Sequence, residues 1–135
     1  MASTTSAGAA ALRGLHEVLE QLPPGDAGPV KVSTWRWQVR QRMAAVRDLL
    51  VAEACRPDRG GGADGGLEAR GAAARRQRDA LLRRLGELGP RVLGDADPRP
   101  VRDELRRLLV DVHHHVQRTS DLAYDAVEME LGGGD

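Results

Sequence analysis

Three of the four histidines are consecutive, His113, His114 and His115, and the fourth is His16. Imidazole ligates zinc, manganese or iron and exchanges protons near neutral pH. Consecutive helical residues point about 100° apart, so no two of the three adjacent histidines can chelate one ion from an intact helix; that needs a spacing of three or four. The spacing instead groups His115 with Asp111 one turn back, and with Glu104 on the same side. His16 and Glu20, four apart, offer a similar pair near the N-terminus. His16, Glu20, Asp111 and His115 are therefore the candidate metal ligands, a His/carboxylate set that could hold iron, manganese or zinc inside a helical bundle. The competing reading makes His16–Glu20 an ordinary pair on a helix flank, and the other histidines boundary residues hydrogen-bonded to neighbours. No other cofactor is expected.

Catalytic constellations are absent. Cys55 is the lone cysteine, so it has no intrachain disulfide partner and no Cys/His zinc pattern. It falls at a helix C-terminus, whose negative end opposes the thiolate a nucleophile needs. Ser120 and Asp121 follow the histidines without the geometry of a triad. The run PDRGGGADGG, residues 57–66, is a linker between helices and not a phosphate-binding loop between a strand and a helix. Arg75, Arg76, Arg83 and Arg84 form the best nucleic-acid candidate. Twenty basic residues balance twenty acidic ones, no aromatics interleave the arginines, and nucleic acid is not the expected partner.

The elements that would carry these residues are helical. Leu, Val and Ala are abundant while Phe is absent, which favours helices over sheets. Four helices are expected, at about 9–22, 35–55, 67–88 and 100–131, with a disordered N-terminus over 1–8 and a flexible tail over 132–135. Leu12, Leu15, Leu19 and Leu22 stripe the first helix, and Pro23-Pro24-Gly25 ends it. Val30-Lys31-Val32 would make a short extended contact, and Ser33 or Thr34 would cap the second helix. That helix has a main stripe of Trp35, Val39, Met43, Val46 and Leu50. A second row, Trp37, Ala44, Val51 and Cys55, falls on its opposite side and marks a candidate interaction face.

Leu67, Gly71, Ala74, Arg78, Leu81, Leu85 and Leu88 make a seam at three-four spacing in the third helix, with Arg78 either seeking an acidic partner or snorkelling to solvent. Gly89-Pro90 would stop it, leaving Val92 and Leu93 in a loop to plug the bundle. In the fourth helix Val101, Leu105, Leu108, Val112, Thr119, Leu122, Ala126 and Met129 recur at three-four steps with His115 filling the one gap. Pro100 suits its first turn, and Gly132 to Gly134 end it. The fold class is therefore all-α, an up-down four-helix bundle with a long C-terminal helix.

The segment HHHVQRTSDLAYDAVEMELGG, residues 113–133, resembles the C-terminal part of small uncharacterised helical proteins of GC-rich Gram-positive bacteria. An origin in a GC-rich genome also fits Lys31 being the only lysine and Asn being absent. The same segment is loosely similar to the last helices of hemerythrin-like proteins, which implies a four-helix bundle. That family's di-iron ligands come from all four helices, and the second and third helices here contain no histidine. With no basic leader and no long apolar run, a cytoplasmic protein is expected, with no membrane partner. The function expected is non-enzymatic protein–protein interaction or self-association as a homo-oligomer, with metal binding as the alternative and nucleic-acid association as the second.

Overall fold

A computed structural model describes residues 2–54 and 65–133, with side chains from 7 to 53 and from 68 to 120. Four helices follow one another, α1 (Ala2–Glu20), α2 (Pro29–Ala54), α3 (Gly65–Gly94) and α4 (Arg99–Gly133). Each packs on the next in chain order, and α4 closes the ring on α1. Pairings between opposite ends set the directions: the start of α2 meets the end of α1 at Trp35–Val18. It also meets the end of α3 at Arg36–Val92, and the start of α4 meets the end of α3 at Arg91–Glu104. The bundle is up-down-up-down.

Every helix is longer than its sequence signals suggested, for local reasons. α1 starts at Ala2 and not Ala9, because the alanine-rich leading residues suit a helix once Gly8 packs against Leu49. α2 starts at Pro29, six residues early. Gly28 takes φ 100°, the left-handed conformation only glycine adopts cheaply, and Pro29 fits a first turn where its missing N–H has no partner. Val30-Lys31-Val32 is thus helical and not extended. Thr34 does not cap; its hydroxyl donates back to the Val30 carbonyl at 3.0 Å.

α3 runs through Gly89-Pro90 to Gly94. An interior proline costs about 3 kcal/mol, and burial of Val92 in phase with Leu81, Leu85 and Leu88 offsets it. Gly89 is buried, and the Arg40 guanidinium lies where a side chain would project. The Arg36 guanidinium donates to the Val92 carbonyl at 2.8 Å and to that of Ala96 at 3.5 Å, serving carbonyls the end of α3 leaves unpaired. Val92 accordingly belongs to the helix and core, whereas Leu93 is exposed. Asp97 caps α4 by accepting the Arg99 N–H at 3.1 Å.

The core is the expected aliphatic set: Leu15, Val18 and Leu19 of α1, Trp35 to Leu50 of the α2 stripe, Leu81 to Val92 of α3, and Val101, Leu105, Leu108, Leu109 and Val112 of α4. Trp35 fixes the helix ends as well as filling volume, because its indole N–H donates to the Val18 carbonyl at 2.7 Å. Ion pairs lace the α3–α4 seam outside the core. Arg84–Asp111 and Arg91–Glu104, both at 2.7 Å, lie seven residues apart on each helix, the interval of a coiled-coil flank. Among the described residues no helix is long and apolar enough to cross a membrane.

Candidate functional site

One layer of the bundle interior is polar, and His115 is its centre. The ring continues the α4 core stripe one step beyond Val112 and is only 1% exposed. Its Nε2 lies 2.8 Å from Glu53 Oε2, at the end of α2. Its Nδ1 lies 3.0 Å from Gln77 Oε1, on α3. Both ring nitrogens are thereby engaged, one by a carboxylate and one by a side-chain amide. Burial alone would push the Glu53 carboxyl up; the His115 hydrogen bond, the Thr119 hydroxyl alongside, and the charges of His115 and Arg78 outweigh it and hold the carboxyl below its ordinary value. The layer therefore favours the charged form of a partly buried carboxylate.

Arg78 borders the same layer. Its side chain is 13% exposed, its Nη2 reaches Asp79 at 3.5 Å, and its Nε is buried without an acceptor. Of the two readings of this seam arginine, the acidic-partner one is nearer the structure. The guanidinium is turned inward and its charge acts on Glu53, although its direct ion-pair contact is with Asp79.

The four candidate metal ligands are engaged separately. Glu20 accepts from Nε and Nη2 of Arg106, each at 2.9 Å. Asp111 pairs with Arg84, His115 with Glu53 and Gln77, and His16 is exposed. Glu104 is held by Arg91. Among the described residues no group of three His, Cys, Asp or Glu side chains is placed to hold a metal ion. His113 and His114 are exposed, with ring centroids 6.3 Å apart. The basic candidates are divided as well: Arg84 is committed to Asp111, while Arg75, Arg76 and Arg83 are exposed. A cleft of about 300 Å³ between α3 and α4 is lined by Arg84, Glu87, Leu88, Glu104 and Arg107. Its mixed charges are partly consumed by the seam ion pairs.

Glu53 and Gln77 are the site residues that sequence reasoning passed over. A signal existed for both: Glu53 extends the spacing Val46, Leu50 by one more helical step, and Gln77 stands four before Leu81 in the α3 stripe. Each is a polar residue in core phase.

The outer face of α2 is the second feature. Trp37 is 59% exposed, Val51 39% and Ala44 is exposed too. Val30, 77% exposed, adds a fourth member seven residues before Trp37. Cys55, the last of the proposed row, lies outside the described residues, as do the side chains of Leu122, Tyr124, Ala126 and Met129. Val30, Trp37, Ala44 and Val51 thus form an apolar row at heptad spacing on the side of α2 opposite its core stripe.

No family model, curated protein or solved structure matches this chain. Chemically, the histidine layer is a histidine–carboxylate pair with a buried ring and a partly exposed carboxylate. The α2 row is an apolar surface presented to whatever can cover it.

Proposed function

We propose that this chain is a non-enzymatic helical-bundle protein that works by self-association through the outer face of α2. The observation that carries the reading is the exposed row Val30, Trp37, Ala44 and Val51. An indole left 59% exposed in line with two valines is costly to keep in water, at about 25 cal/mol per Å² of apolar surface, and covering it is favourable. Seven-residue spacing is the period at which one helix follows another in a left-handed pair, so the occupant that fits is a helix. A second copy of the chain supplies an identical α2, and a formal net charge of zero imposes no global repulsion between copies.

Sedimentation equilibrium on the full chain tests this. The wild type should show the mass of a dimer, Trp37→Arg that of a monomer, and Gln38→Arg, exposed on α2 but off the row, should behave as wild type. A wild type that stays monomeric up to millimolar concentration would remove the proposal. The metal-binding alternative gains no comparable support, since its four residues each have another engagement or face solvent.

A further inference from the structure

The order of side chains along the α2 row also sets how a second copy lies on it. We infer that two copies pair through α2 in opposite directions, about a two-fold axis midway between Trp37 and Ala44, each Trp37 seated on Ala44 of the other copy. This rests on self-association through α2 and adds to it the direction and register of the second copy.

Side-chain size carries the argument. The row reads Val30, Trp37, Ala44, Val51, all exposed and seven residues apart. Laid in opposite directions about that axis, two rows set Trp37 against Ala44 twice and Val30 against Val51 twice. Each indole then meets the smallest side chain of the row, and the valines meet each other, so facing positions fill evenly. Laid in the same direction, Trp37 meets Trp37 and Ala44 meets Ala44, which crowds one level and leaves a gap at the next. Shifting the antiparallel pair by seven residues puts the axis on Trp37 or on Ala44 and leaves an end valine facing nothing on the other α2. The row is thus self-complementary in one direction and one register, which is what a two-fold contact between identical chains requires. That axis also falls near the middle of α2 (Pro29–Ala54), so the two helices overlap along their length.

The flanks of the row admit the same arrangement. In an antiparallel pair like flanks face each other, which brings Ser33 beside Arg47 and Thr34 beside Asp48 of the other copy, all four exposed. No two like charges meet there. Gln41, also exposed, lies next to the axis and faces its own copy, an uncharged pair. Arg40 is the one cation that stands equally close to the axis. Its guanidinium is drawn off the row onto α3, into the space that Gly89 leaves open. Opposite directions also set the positive N-terminus of each α2 beside the negative C-terminus of the other.

Cysteine crosslinking of the full chain reads the direction. Val30→Cys and Val51→Cys are made separately in Cys55→Ser; both valines are exposed, so the core is untouched. Each variant is oxidised alone, and again after the two are mixed and their subunits exchanged under reducing conditions. A disulfide needs Cα atoms within about 7 Å. The expected result is no covalent dimer from either variant alone, and one from the mixture, up to the share that random exchange allows. A nitroxide on Val30→Cys should read about 30 Å between copies, the rise from residue 30 to residue 51 at about 1.5 Å each. Covalent dimer from either variant alone, or a nitroxide separation below about 20 Å, the reach of two side-by-side helices about 8 to 10 Å apart, means that the copies run the same way. That overturns the inference while self-association stands. A dimer by sedimentation with neither the mixed crosslink nor a separation of about 30 Å also overturns it, since the second copy then lies off the row or in another register. A chain that stays monomeric removes the self-association reading, and this inference with it.

Discussion

The two ends of the bundle are built from the same four helices by opposite means. At the end where α1 runs into α2 and α3 into α4, Leu19, Trp35, Val92 and Val101 close an apolar layer, and the Trp35 indole N–H inserted there goes straight to a backbone carbonyl. Toward the other end, the buried His115 is met by the partly buried Glu53, Gln77 and Arg78, which bring charge and amide groups to the edge of the core. A dry layer accepts any apolar set of the right volume. A polar layer accepts only the alignment that satisfies its hydrogen bonds, since a buried pair roughly breaks even in stability but is costly when half made. The dry end thus supplies stability, and the polar end fixes which residues of α2, α3 and α4 lie level.

The largest effect should come from the dry end. Trp35→Ala removes the biggest side chain of the core together with the bond to Val18, and should lower unfolding free energy by about 3 to 5 kcal/mol in urea titration. A loss below about 1 kcal/mol would mean that this layer is not the stabilising one.

At the polar end, His115→Leu strands the Glu53 carboxylate and should cost about 3 kcal/mol. Replacing Glu53, Gln77 and His115 by leucine and Arg78 by methionine together should recover most of that loss, because nothing polar is left unpaired. If the fourfold variant is as unstable as the single one, the layer contributes stability in its own right and the contrast between the ends fails.

The pH response sharpens the same contrast. The Glu53 carboxyl is held below its ordinary value in the folded chain. Its stabilisation is therefore complete above the unfolded carboxylate value of about 4.3 and is lost as pH falls through the lower folded value. Glu53→Gln should flatten the acid limb of the stability profile in that interval; an unaltered limb would assign acid sensitivity elsewhere. The smallest effect belongs to the surface seam. Arg84→Ala breaks a half-exposed pair with Asp111 and should change stability by less than about 1 kcal/mol, vanishing in high salt.

What could be read in advance divides along the same line. The α2 stripe from Trp35 to Leu50 and the α4 stripe from Val101 to Val112 are core as their spacing requires, because local periodicity determines which face is buried. Helix ends were less legible. Pro90 and Gly89 are strong local stop signals, yet Val92 has a place in the core and Arg36, from another helix, serves the terminal carbonyls. The polar layer was half visible: His115 stood in the apolar period of α4, but nothing within α4 points to residues 53 and 77. Hydrogen bonds between side chains 62 and 38 residues apart leave no local pattern. Polar residues in core phase are their only trace. Trp37 was visible as a second row, and the earlier start of α2 added Val30 to it.

The two tryptophans offer the most direct test of the central claim, that the outer face of α2 is a surface to be covered by a second copy. Trp35 is buried in the core and Trp37 is exposed on the row. Acrylamide quenching of Trp37 fluorescence, measured in Trp35→Phe from nanomolar to high micromolar concentration, should fall as the chains associate, with the midpoint at the dissociation constant found by sedimentation. Quenching that stays at the level of a free surface indole over the whole range, in a chain that remains folded, would contradict self-association through α2.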